Sequence, residues 1–211
     1  MELRRSNWHS EFRLTEINYF LEILRSDVLN AAPKLLGWHL VRGGLRARIV
    51  EVEAYRGSDD PGAHSFGKTK MKNMAMFGPP GHAYIYFNYG VHWMLNLVAH
   101  DHGDASAILI RAAEPLDGLE TFRLRRPKAK ADTDLLSGPG KLAAAFAITG
   151  TDNGTYLLDM NSELHLEPPD EGVVRVAIGT RIGLAQGKGH ELPWRFADVD
   201  KLKWVSRPLT F

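Results

Sequence analysis

From about Thr15 to Leu29 the apolar residues Ile17, Phe20, Leu21, Leu24 and Val28 recur at spacings of three and four. That is the period of an amphipathic helix, with Thr15 where a cap would stand. Pro33 interrupts the stretch from Asp27 to Leu36, and the residue before a proline resists helical dihedrals, so one helix ends there and a short one follows. Beyond Gly37 the period changes. Residues 38–42, the pair Gly43-Gly44 and residues 45–55 read as strand, turn and strand, with Glu53 near the second strand's end.

Residues 56–82 hold Gly57, Pro61, Gly62, Gly67, Gly78, Pro79, Pro80 and Gly81, a density that predicts a long irregular loop, and such loops in compact domains are commonly functional. Strands are expected at 84–88 and 93–99, joined around Tyr89-Gly90, and at 105–112, ending at Arg111. Helices are expected at 116–126 and 141–148, the second led in by Ser137-Gly-Pro-Gly140. Short strands at 155–158, 164–166 and 173–178 complete the reading. Hairpin-linked strands with helices around them predict an α+β fold: a curved, mostly antiparallel sheet with peripheral helices rather than a doubly wound one.

With 211 residues, 44% hydrophobic and 24% charged, the chain can bury one substantial core. A single catalytic domain over 1–211 is expected, with residues 1–12 as a flexible arm. Cysteine is absent, which removes disulfides, thiolate ligands and cysteine nucleophiles. No apolar run approaches the roughly 20 residues of a membrane helix and no secretion signal is evident. The expected setting is cytoplasmic, nucleoid-associated if the source is prokaryotic, with no membrane partner. The net charge is only +1, so an electrostatic case for nucleic acid rests on clusters: Lys68, Lys70 and Lys72, then Arg123 to Lys130, then Lys201, Lys203 and Arg207.

On a regular strand ending at Tyr55, Ile49, Glu51, Glu53 and Tyr55 would face one way and Arg48, Val50, Val52 and Ala54 the other. Two carboxylates on one face suit either a solvated surface or a general base beside an aromatic wall; Arg111 is a candidate partner. His64 lies in the Gly/Pro-rich loop. The histidines at 82, 92, 100 and 102 lack metal-ligand spacing, and Gly78-Pro-Pro-Gly81 lacks the pattern of a phosphate loop. Neither metal nor cofactor is expected. Tyr84 and Tyr86 share a strand face, while Tyr89 stands at a hairpin tip, where an aromatic can either half-bury or wedge between stacked bases.

Seven ordered blocks carry a resemblance: 49–55 (IVEVEAY), 63–65 (AHS), 76–81 (MFGPPG), 84–90 (YIYFNYG), Leu95-Asn96, 109–116 (LIRAAEPL) and 137–142 (SGPGKL). Together they resemble the alkyladenine (3-methyladenine) DNA glycosylase family, collinear from about Ala32 to Val205. The resemblance implies a monofunctional, monomeric base-excision enzyme that hydrolyses damaged purines from double-stranded DNA. It implies Glu53 as the base that activates water, with Arg111 and the backbone carbonyl of Ile182 holding that water. Tyr55, His64 and Tyr86 would enclose the extruded base, Asn96 and Leu109 would line its pocket, and Tyr89 would fill the gap in the duplex. This chain departs from the family at 69–73 (TKMKN), where relatives commonly show Thr-Pro-Arg-Asn, and at Phe87 and Asn88. Two rivals stand beside it: a small-nucleoside or sugar hydrolase using Glu51 and Glu53 as a pair, and a stacking groove for nucleic acid without catalysis.

Overall fold

The computed structural model describes residues 2–67, 74–100, 105–170 and 172–209, with side chains omitted for 2–12 and Met74. The segment 68–73, with its three lysines and its departure from the family, and His102 lie outside the described residues. The helices are α1 (Glu2–Leu24), α2 (Val28–Ala31), α3 (Leu119–Arg125) and α4 (Pro139–Ala145). The strands are β1 (His39–Arg42), β2 (Leu45–Tyr55), β3 (Ala83–Asn88), β4 (His92–Val98), β5 (Ala107–Asp117), β6 (Leu164–Glu167), β7 (Val176–Gly179) and β8 (Arg195–Asp198). All pairings are antiparallel, in the order β3-β4-β5-β2-β1-β6, with β8 joining β2 and β7 joining β8. The expected α+β class and hairpin-built sheet are what the structure has.

The first helix differs from its expected bounds. Thr15 lies inside α1 rather than at its cap, and the helix stops at Leu24. The chain restarts at Asp27, whose side chain accepts the Leu29 N–H at 2.9 Å and caps α2. Pro33 sits early in a separate 3₁₀ turn, Ala32–Leu35, as the proline rule requires. Ile17, Phe20 and Leu24 of α1, Val28 of α2, Phe122 of α3 and Leu142 of α4 all enter one core on the same side of the sheet.

β2 is the hub. β5 runs along one edge; along the other, β1 covers the first half and β8 the second. Its alternation breaks once. Leu45, Ala47 and Ile49 reach the core, and so do Val52 and Ala54, so the face inverts between Ile49 and Val52. The cause is a β-bulge: Ile49 opposes Ala113 and Glu51 opposes Ala112, which leaves Val50 as the extra residue. A second irregularity follows at once, since Val52 opposes Ile110 and Arg111 is the extra residue on β5. The expected grouping of Ile49 with Glu51 and Glu53 is therefore wrong, as is that of Arg48 with Val52; Ile49 is core. Arg111 is also not at a strand end, because β5 continues to Asp117.

Further corrections concern the second half of the chain. Residues 155–158 form no strand; only Tyr156 bridges, to His82. The strand expected at 173–178 starts at Val176, and the helix expected from Leu116 starts at Leu119 because β5 still occupies 116–117. β8 was unforeseen: Arg-Phe-Ala-Asp does not alternate, yet all four residues are buried. Arg195 pairs with Glu51, and Asp198 with Arg48, so ion pairing rather than apolar character takes this strand inside.

The two faces of β5 should respond differently to truncation. Ile110→Ala, on the core face with no solvent exposure, should lower unfolding free energy by about 2–5 kcal/mol in denaturant titrations. Leu109→Ala, whose side chain lines the open cavity rather than the core, should cost clearly less.

Candidate active site

Glu53 has no solvent exposure, a position that penalises an ionised carboxylate by several kcal/mol unless its oxygens are bonded. Here they are. Tyr55 Oη and Arg111 Nη1 donate to Oε2 at 2.9 and 3.2 Å, and the Ile182 amide donates to Oε1 at 2.7 Å. Burial pushes the Glu53 pKa above the ordinary carboxylate value, while Arg111, the Ile182 N–H and the Tyr55 hydroxyl pull it back and Glu51 pushes it further up. The result is a carboxylate made more basic by its surroundings but held in place by three donors.

Those three donors all line one cavity of about 260 Å³, slightly below the ~300–1,000 Å³ usual for small-molecule sites. Tyr84 and Tyr86 form one wall, their rings stacked at 5.6 Å. His64 stands edge-on to Tyr86 at 4.4 Å, and its Nδ1 lies 2.9 Å from Tyr84 Oη in a hydrogen bond. Burial pushes the Tyr86 phenol up to about 12 and the Tyr84 and Tyr55 phenols up as well. All three therefore stay protonated at neutral pH and present π faces and hydroxyls, not anions. Asn96 and Leu109, cross-strand partners on β4 and β5, line the floor, and Asn96 Nδ2 donates to Tyr84 O at 3.0 Å, which fixes the carboxamide.

Tyr89 occupies the β3–β4 tip with 86% of its surface exposed. The turn is closed by Val91 N–H to Asn88 O at 3.0 Å, with Tyr89 at φ 50° and Gly90 at φ 67°. A bulky residue at positive φ is strained by about 1 kcal/mol or more. The fold therefore holds an exposed aromatic in a costly conformation beside the cavity it lines.

Every site residue expected from the sequence, apart from the buried Glu53, is part of this one lining, the exposed Tyr89 included. Ile182 contributes its amide to Glu53, a contact that was not foreseen for it. Two sets of partners were not foreseen. Asp60 and Arg181, neither with an exposed side chain, form a bidentate pair at 2.6 and 2.8 Å. Asp60 also accepts from the Arg56 and Gly62 amides, and Arg181 donates to Ala54 O and Gly189 O. The Arg181 guanidinium lies over the rings of Tyr55 and Trp194, 4.8 and 4.9 Å from their centroids. A Cβ on Gly62 would come within 2.9 Å of Arg181 Nη2, so glycine is what allows the loop carrying His64 to sit this close. The second set is Glu51 with Arg195 and Ser206. Sequence offers no periodic signal for either, since their partners lie far apart along the chain.

Three members of the basic clusters are engaged among the described residues: Arg123 with Glu120 and Asp132, Arg125 with Ala145 O, and Lys201 with Glu114. Among the described residues no three His, Asp or Glu side chains converge as metal ligands would, and no helix is long and apolar enough to cross a membrane.

An aromatic slot over a buried carboxylate, on a hairpin-built sheet, can enclose a flat ring beside a proton acceptor. A family model described as Methylpurine-DNA glycosylase (MPG) matches residues 22–201, and the chain belongs to that family of DNA glycosylases. It is 45% identical over 182 residues to a Rhodopseudomonas palustris protein, covering 86% of this chain and 84% of that one. It is 42% identical over 197 residues to a Burkholderia lata protein, covering 90% of each. A Streptomyces avermitilis protein is 42% identical over 188 residues, covering 83% of this chain and 84% of that one. Each of the three bears the name "Putative 3-methyladenine DNA glycosylase".

Removing one partner of the Asp60–Arg181 pair strands the other. Asp60→Ala should cost about 3–5 kcal/mol of stability in denaturant titrations, well beyond the cost of breaking the exposed Arg175–Asp200 pair.

Proposed function

We propose that this protein rotates alkylated or deaminated purine nucleotides out of duplex DNA into the Tyr55–His64–Tyr86 cavity. There it hydrolyses the bond between base and deoxyribose with a water deprotonated by Glu53, leaving an abasic site. The observation that carries this reading is the Glu53 carboxylate, bonded to three residues that line a single tyrosine-walled cavity. Extrusion is required because a target atom inside stacked duplex is inaccessible.

The lone pairs of Glu53 are unequally used. Oε2 accepts from two donors and Oε1 from one among the described residues, so Oε1 retains capacity for a water proton. The water oxygen then bonds to the anomeric carbon, its proton passes to Glu53, and the electron pair of the broken C–N bond leaves with the purine. An alkylated purine starts positively charged and departs neutral; its electron-poor ring stacks favourably between electron-rich tyrosine faces. A deaminated purine is neutral and needs a proton to leave well. Asn96, anchored through Nδ2, narrows the floor against exocyclic groups that undamaged guanine carries. Tyr89 fills the space the rotated base vacates.

Of the rival readings, the paired-carboxylate mechanism loses support from Glu51. Its oxygens are engaged by Arg195 and Ser206, and it does not line the cavity. A groove that only binds would gain nothing from burying Glu53. None of the described residues lining the cavity is a lysine, which favours water over an amine as nucleophile.

Glu53→Gln should retain binding to duplex carrying one defined lesion while single-turnover excision falls about 10²- to 10⁴-fold; wild-type excision would reject the role. In the native enzyme the proton-accepting form must be the carboxylate. Because its pKa lies above the usual 4.5, excision should rise with pH along an acid limb centred above that value and vanish below it. Tyr89→Asn keeps a residue tolerant of positive φ and removes the ring. Thermal stability should hold or rise slightly, whereas lesion-duplex binding weakens by about 1–3 kcal/mol in equilibrium titrations; unchanged affinity would count against the wedge.

A further inference from the structure

Arg111 reaches Glu53 through Nη1 alone, so its usefulness depends on what holds the rest of the guanidinium. Nε and Nη2 both point at one atom, the Ser206 hydroxyl oxygen, each at 3.4 Å. The Ser206 hydroxyl proton is committed elsewhere: it donates to Glu51 Oε1 at 3.0 Å. Toward Arg111 the oxygen can then act only as an acceptor. Glu51 Oε1 also lies 3.6 Å from Arg111 Nε, and its other oxygen accepts the Ser206 backbone N–H at 2.6 Å. Arg195 completes the set, donating to Glu51 at 3.1 Å and to the carbonyls of Arg207 and Pro208 at 3.3 and 3.0 Å.

We infer that Ser206 is a positioning residue for the reaction: its hydroxyl, oriented by Glu51, fixes the Arg111 guanidinium so that Nη1 stays on Glu53. At 3.4 Å its two bonds with Arg111 are long; they act by confining a fork that would otherwise swing between two carboxylates on the same strand. The inference rests on the proposed role of Glu53 as base. The charged and titratable groups facing Glu53 are Arg111 from β5, Glu51 and Tyr55 from β2, and Tyr86 from β3, with Arg195 from β8 acting through Glu51. Arg111 is the cation that lowers its pKa. Loosening that cation therefore moves the acid limb upward.

Ser206→Ala deletes the hydroxyl and leaves the amide bond to Glu51 intact, so the C-terminal strap remains attached. Single-turnover excision from duplex with one alkylated purine should fall about tenfold, with the acid limb displaced to higher pH and affinity for the lesion duplex unchanged. Ser206→Thr, which keeps a hydroxyl, should restore both rate and limb. A wild-type rate and limb in Ser206→Ala overturns the inference, as does loss of lesion binding with the limb unmoved, or a Ser206→Thr variant as impaired as Ser206→Ala. Glu53→Gln run in parallel separates the two readings: if it excises normally, the base assignment fails first, whereas an inactive Glu53→Gln with an unaltered Ser206→Ala refutes only the role of Ser206.

Discussion

Two carboxylates with no solvent exposure lie on the same strand, and their need for partners organises this half of the molecule. Neither Glu51 nor Glu53 is tolerable as a buried anion alone. Glu53 draws in Arg111 from β5 and the Ile182 amide from the loop after β7; Glu51 draws in Arg195 from β8 and the Ser206 segment. Two acids and two arginines balance. The donors arrive from elements that are remote in sequence, so the electrostatic requirement also ties the sheet to the segments beside it. The stability of the sheet and the shape of the cavity share one set of bonds at this point, which ties the walls of the site to the burial of its carboxylates.

The paired irregularities at Val50 and Arg111 are what make this possible. Without an extra residue in β2, a strand that sends Ile49 into the core would send Glu51 and Glu53 there too. The bulge reverses the alternation just before the carboxylates, and the matching shift on β5 places Arg111 against them. Bulges commonly re-aim side chains beside active sites, and here the two act together across one strand pair.

The hairpins, Pro33, the long Gly/Pro-rich loop and the tyrosine faces were legible in the sequence because each rests on local chemistry: dihedral limits, turn residues and period-two spacing. The residues of the aromatic pocket were legible through ordered motif blocks, not through periodicity. What escaped was non-local. The bulge is the exception: the apolar positions 45, 47 and 49 give way to 50, 52 and 54, and the adjacent Ile49 and Val50 mark the change of phase, which a regular-strand reading passes over. β8 looks like surface because Arg195 and Asp198 are charged, and only the carboxylate and guanidinium opposite them explain their burial. Ser206 is an ordinary serine until Glu51 and Arg111 are seen on either side of it.

Asp60 and Arg181 lie 121 positions apart along the chain, yet they bond to each other and each bonds to backbone beside it, Asp60 to the Arg56 and Gly62 amides and Arg181 to the Ala54 and Gly189 carbonyls. One tether fixes the loop that carries His64, and the other fixes the loop that carries Ile182. The slot between them is thus a gauge of set thickness. A slot of fixed width would admit a flat ring edgewise and not a puckered one.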